Sequence, residues 1–199
     1  MSFESTKIID LGSCAFRQWR ADHSHCKFIH GYRLVAKFWF SCSELDEKNW
    51  VVDFGNLKEL KIILEKQFDH TLCVAADDPL LPYFTDLHKH GGCDLRIMPE
   101  GVGIEKTAEW CFKAADEYVR RITNNRCWTS KVEVWEHEKN SALYVGNITP
   151  CKEELTSKQE PVQQEPVQQE PGNEPIPARI GNQVSSGWSN PFAGTSWGV

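Results

Sequence analysis

Residues 28–40, FIHGYRLVAKFWF, alternate along their length. In an extended chain His30, Tyr32, Leu34, Ala36, Phe38 and Phe40 fall on one side and Arg33 and Lys37 on the other, the two-residue period of a strand with one buried face. A strand of this kind leaves backbone groups unpaired until neighbours bond to them, so the chain must build a sheet around it. The preceding AFRQWRA, residues 15–21, is the expected antiparallel partner, with His23, His25 and Cys26 in the turn between.

The sequence after this strand changes period. In NLKELKIILEKQF the residues Leu57, Leu60, Ile63, Leu64 and Phe68 recur at helical spacing. A loop, DHTLCVAADDPLLPYF, then leads toward a second, longer helix in IEKTAEWCFKAADEYVRRI, whose apolar stripe runs through Ala108, Cys111, Phe112, Ala115, Tyr118, Val119 and Ile122. Glu105 lies near its start, where the helix dipole favours a carboxylate. KVEVWEHE alternates again, and SALYV reads as a last strand. The expected architecture is therefore α+β: an antiparallel four-stranded sheet, ββααββ, with two helices on one face.

Composition limits that domain to residues 1–150. From Cys151 the repeat QEPVQQEPVQQEP lacks the apolar surface needed to fold, and residues 151–199 are expected to form a disordered Glu/Pro/Gln-rich linker. It ends in GWSNPFAGTSWGV, where Trp188, Phe192 and Trp197 make either a loose terminus or a short motif for an unknown protein partner. The net charge of −6 argues against a broad nucleic-acid footprint. No apolar run approaches the roughly 20 residues that span a bilayer, and MSFESTKIIDLGSC lacks the basic start and apolar core of a signal peptide, so a cytoplasmic protein is expected. The eight cysteines are scattered without a CxxC pair, which fits free thiols better than disulfides.

Three constellations carry possible chemistry. ADHSHCKFIHGYRL, residues 21–34, gathers His23, His25, His30 and Cys26. Isolated histidines are mostly surface or hydrogen-bonded imidazoles, but clustered ones suit a zinc with an open position, beside which Cys26 would be a base or nucleophile. Asp69 and His70, just after the first helix, are either a solvated turn or a carboxylate orienting an imidazole base. Glu136 continues the face of Val132 and Val134, so it has either emerged into water or is paired there; a nitrogen heterocycle offers adjacent N–H donors that a carboxylate fits.

Taken in series, CKFIHGY, WVVDFGNLK, FDHTL, IEKTAEW and VEVWEHEKNSALY resemble the 6-pyruvoyltetrahydropterin and 6-carboxytetrahydropterin synthase family over roughly residues 14–145. The resemblance implies a tunnelling fold, a ring-shaped homo-oligomer (trimer or hexamer) and active sites at subunit interfaces. It implies a zinc held by three histidines, a proton-relay cysteine matched by Cys26, a helper pair matched by Asp69 and His70, and a pterin-anchoring glutamate matched by Glu136. Glu105 matches the acid at the family's helix start, and His30 the first histidine of its His-Gly-His. The chain departs from the pattern at two places. Tyr32 replaces the second histidine, and FRQWR stands where the family's opening strand ends in a zinc histidine some ten residues before the cysteine, leaving His25 and His23 as substitutes. The implied activity is a zinc-dependent 6-carboxytetrahydropterin synthase-like lyase, acting on 7,8-dihydroneopterin triphosphate in deazaguanine and queuosine synthesis. The alternatives are 6-pyruvoyltetrahydropterin synthase activity, or a non-catalytic pterin-binding protein with a degenerate metal site.

Overall fold

The alternating stretch forms strand β2, His30–Cys42, in which Leu34, Ala36, Phe38 and Phe40 are fully buried. The computed structural model describes residues 2–146; the proposed tail, 151–199, lies outside them. Strand β1, Phe3–Phe16, runs antiparallel to β2 from Phe3 opposite Cys42 to Phe16 opposite His30. This corrects the expected partner, because β1 ends where FRQWR begins. Its alternation is hidden by a bulge at Asp10–Gly12, which moves the inward positions from Ile9 and Leu11 to Cys14 and Phe16. Gly12 is required there: its φ is +84°, and a Cβ would stand 2.0 Å from Asp69 Oδ1.

Strand β5, Cys127–His137, pairs antiparallel with β2, and β6, Asn140–Val145, with β5. On the other side of β1 come two parallel strands, β3 (Thr71–Ala75) and β4 (Leu95–Met98). The described residues thus make a mixed six-stranded sheet in the order β4-β3-β1-β2-β5-β6, rather than four antiparallel strands. The segment expected as a loop contains β3 and opens helix α2, Leu81–Lys89. All five residues of β3 are buried, so the strand shows no alternation to betray it. Cys73 and Ala75 join the main core, while Leu72 and Val74 pack with Phe84 of α2 in a second cluster.

The two expected helices form as α1, Lys58–Phe68, and α3, Ile104–Ile122. Leu60, Leu64 and Phe68 of α1 and Ala108, Cys111, Ala115 and Val119 of α3 fill the main core against β1, β2 and β5. Truncating any of these leucines to alanine removes about 2–5 kcal/mol of stability. Among the described residues the cysteines are free thiols, with Cys14, Cys42, Cys73, Cys111 and Cys127 buried and Cys26 exposed. No helix among them is long and apolar enough to cross a membrane.

Candidate functional site

One end of the sheet opens into a cleft of about 550 Å³, built from segments far apart in sequence. β1 contributes Phe16, the connector after it Gln18, and β2 contributes His30 and Tyr32. A single 3-10 turn, His25–Lys27, contributes Cys26. The first turn of α3 brings Glu105, and β5 with its hairpin to β6 brings Glu136, Lys139 and Asn140. Four residues singled out from the sequence, Cys26, His30, Glu105 and Glu136, therefore line one space.

Three of them are held by identifiable local contacts. The side chain of Ser24 accepts a hydrogen bond from the Cys26 N–H at 3.1 Å, which starts the 3-10 turn. His30 Nδ1 lies 2.8 Å from the Phe28 carbonyl, which can only accept, so Nδ1 carries a proton and in the neutral ring the lone pair is on Nε2. Glu136 accepts from Asn140 Nδ2 at 2.7 Å, and its side chain is only 16% exposed. Its face does not simply run out into water.

Asp69 and His70 do not line the cleft. They close the end of α1, where Asp69 Oδ1 lies 2.9 Å from His70 Nδ1 and accepts the Ser13 N–H at 3.0 Å. The His70 N–H donates to the Ser13 carbonyl at 2.7 Å, with His70 in a left-handed conformation (φ 57°) and its side chain 85% exposed. The expected carboxylate–imidazole pair is present, but on an outer surface three residues along β1 from Phe16.

The expected convergence of His23, His25 and His30 does not occur. His23 and His25 line a different cleft, with Lys27 and Phe28, whereas Cys26, in the same Ser24-capped turn, lines the cleft of His30. What surrounds His30 is aromatic. Its ring centroid lies 4.9 Å from that of Phe16 and 5.6 Å from that of Tyr32, and Phe16 and Tyr32 are 6.2 Å apart. Phe16 stands ten residues before Cys26, the position where the resemblance implies the first zinc histidine. Tyr32 would bind a metal only as a phenolate. Burial, and then the charges of Glu136 and Cys26, push its hydroxyl above the ordinary phenol range, so it keeps its proton. Among the described residues no group of three or more His, Cys, Asp or Glu is arranged to hold a metal ion. The donor set therefore does not fit a three-histidine zinc.

Gln18 and Lys139 line the cleft without any signal in the residue pattern. Gln18 lies in a connector that reads as strand, and the hairpin that carries Lys139 shows only turn chemistry.

The model of the 6-pyruvoyl tetrahydropterin synthase family matches residues 12–147. The 6-carboxy-5,6,7,8-tetrahydropterin synthase of Rickettsia conorii is 37% identical over 54 residues, 27% of this chain and 39% of that protein. The chain thus spans about two fifths of the length of that relative in the matched region. The enzyme of the same name from Aquifex aeolicus is 25% identical over 124 residues, covering 60% of this chain and 75% of that protein. Among solved structures, an uncharacterised protein from Wolinella succinogenes superposes with a TM-score of 0.62 at 18% identity, covering 74% of this chain and 99% of that one. A catalytic-residue mutant of Plasmodium vivax 6-pyruvoyltetrahydropterin synthase gives a TM-score of 0.53 at 16% identity, covering 73% and 99%. These two likenesses concern the fold.

Proposed function

This chain belongs to the 6-pyruvoyl tetrahydropterin synthase family, whose members are lyases, and we propose that its cleft takes the pterin ring of 7,8-dihydroneopterin triphosphate. The activity proposed is that of a 6-carboxytetrahydropterin synthase-like enzyme releasing triphosphate, in the cytoplasm, on the route to deazaguanines such as queuosine. The observation that carries this reading is the meeting of Cys26, His30, Glu105 and Glu136 in one cleft.

In this reading Glu136, steadied by Asn140, accepts the adjacent N–H donors of the pterin edge, and Glu105 supplies a second acceptor at the start of α3. Loss of triphosphate requires a proton to leave the side-chain carbon next to the one bearing the ester oxygen. The C–H electron pair becomes the new double bond, and the C–O pair departs with the phosphate. Cys26 as thiolate is the group to take that proton, with His30 Nε2 as a neighbouring acceptor. Asp69 and His70 would act on the cleft of an adjacent copy in a homo-oligomer, which suits a hydrogen-bonded pair on the outer surface. Zinc has no role in these steps, because the residues around His30 do not suit it.

A second reading is favoured by the aromatic cluster of Phe16, His30 and Tyr32, in which Phe16 and Tyr32 stand in place of two of the three metal ligands that the resemblance implies. It holds that the chain binds reduced pterins without turning them over. Incubating the purified protein with 7,8-dihydroneopterin triphosphate while measuring triphosphate and bound zinc separates the two. Release of triphosphate that is lost in Cys26→Ala supports the lyase. Tight pterin binding with no triphosphate released supports the binding protein and overturns the lyase.

A further inference from the structure

The cleft has two walls that the sequence does not connect: the turn that carries Cys26, and the segment that leads into α3 and Glu105. One residue, Gln18, spans them, through its backbone on one side and its side chain on the other. The backbone N–H of Gln18 donates to the Cys26 carbonyl at 2.8 Å, and its side-chain Nε2 donates to the Val102 carbonyl at 2.6 Å. Val102 is buried and is followed by Gly103, whose φ of +109° disfavours any other residue; a Cβ there would also stand 2.5 Å from Gln18 Nε2. Glu105 is only two residues beyond that glycine.

The residues on either side of Gln18 are fastened to a third segment. Arg17 pairs with Asp78 at 2.9 Å, with side-chain exposures of 15% and 0%. Trp19 Nε1 donates to Asp77 Oδ1 at 3.2 Å, and Arg20 bonds to the same carboxylate group at 2.5 Å. A residue tethered on both flanks has little freedom to follow a moving neighbour, so its own two bonds set the spacing of what they join.

We propose that Gln18 is a positioning residue, which fixes the distance between the Cys26 thiol and the Glu105 end of α3 and so sets the shape of the cleft for its ligand. It acts through Cys26 and Val102, and its use for a pterin rests on the function proposed above. A neutral hydrogen bond at this site is worth about one unit of tenfold discrimination or slightly less, so its loss changes the populations of the two walls by about fivefold.

The test uses the full chain and two readouts. The first is alkylation of Cys26 by iodoacetamide, followed by mass spectrometry, with the buried cysteines as internal references. The second is affinity for 7,8-dihydroneopterin. Gln18→Met keeps the volume and removes the donor, and is expected to change the Cys26 alkylation rate and weaken pterin binding by about fivefold each. Gln18→Lys, which can still donate to the Val102 carbonyl, should restore most of both. A merely structural role would lower thermal stability and leave both readouts unchanged in the folded protein. Wild-type values for both in Gln18→Met overturn the proposal. If the wild-type protein binds no pterin while Gln18→Met still alters Cys26 alkylation, the pterin reading fails and the positioning role stands. If Gln18→Met does not fold, Gln18→Glu, which preserves shape and places an acceptor against the Val102 carbonyl, is read in the same two assays and must show changes at least as large.

Discussion

Replacing Asp78 with alanine leaves the Arg17 guanidinium without its counter-charge in a place where water reaches only 15% of that side chain. Arg17 Nε and Asp78 Oδ2 approach to 2.9 Å without the alignment of a hydrogen bond, and neither atom has another hydrogen-bonding partner. The pair is therefore held by charge. Removing one member of a buried pair costs about 3–5 kcal/mol, and the imperfect alignment and residual hydration of Arg17 place this case at the low end, about 3 kcal/mol. Asp78 Oδ1 also accepts the Leu80 N–H at 2.8 Å just before α2, and losing that bond adds about 1 kcal/mol. The total is about 4 kcal/mol, or about 12 °C in Tm for a folded region of this size. Urea and thermal unfolding followed by far-ultraviolet circular dichroism would measure it, with Asp78→Asn retaining an acceptor for Leu80 and Arg17→Met/Asp78→Ala removing both charges. The double variant should recover part of the loss, because an apolar pair avoids an unpaired buried charge. An Asp78→Ala protein within about 0.5 kcal/mol of wild type, or a double variant no more stable than Asp78→Ala alone, would refute the reasoning.

Two further outcomes follow from the same contacts. Phe16→His/Tyr32→His would set two imidazoles beside His30, whose Nε2 is already free, and should raise zinc content from below about 0.1 to about one per chain by atomic absorption; stoichiometric zinc in the wild-type protein would contradict the aromatic-cluster account. Glu109 is held at a pKa of about 2, below the ordinary 4.5, first by Lys106 and then by Lys113. A depressed carboxyl stabilises the fold above its unfolded pKa and loses that contribution as pH falls, so Tm should decline from about pH 4.5 toward pH 2 with a smaller slope in Lys106→Met/Lys113→Met. An unchanged slope in that variant would remove the ion network from the acid response.

Much of the sheet and of the cleft could be read from residue order, for specific reasons. β2 keeps its alternation because its inward face is buried from Leu34 to Phe40, so His30 and Tyr32 were correctly placed on one side. α3 carries a full apolar stripe, which put Glu105 at its first turn. β1 was displaced because the bulge at Gly12 shifts its period by one residue, and β3 was missed because burial on both faces erases the period. The histidine cluster misled for a different reason. Proximity in sequence says nothing about direction, and across the turn that Ser24 caps Cys26 lines one cleft while His23 and His25 line another. Gln18 was invisible because both its partners, the carbonyls of Cys26 and Val102, are backbone atoms that any residue would present.

Titration calorimetry with 7,8-dihydroneopterin tests most directly whether the cleft between Cys26 and Glu136 is a pterin site. The wild-type protein should bind, and Glu136→Gln should bind about 100-fold more weakly, because the amide keeps one acceptor without the charge and turns an N–H toward the other pterin donor, together a loss of about 2.7 kcal/mol. No heat of binding from the wild-type protein at millimolar pterin, or equal affinity in Glu136→Gln, would contradict that reading.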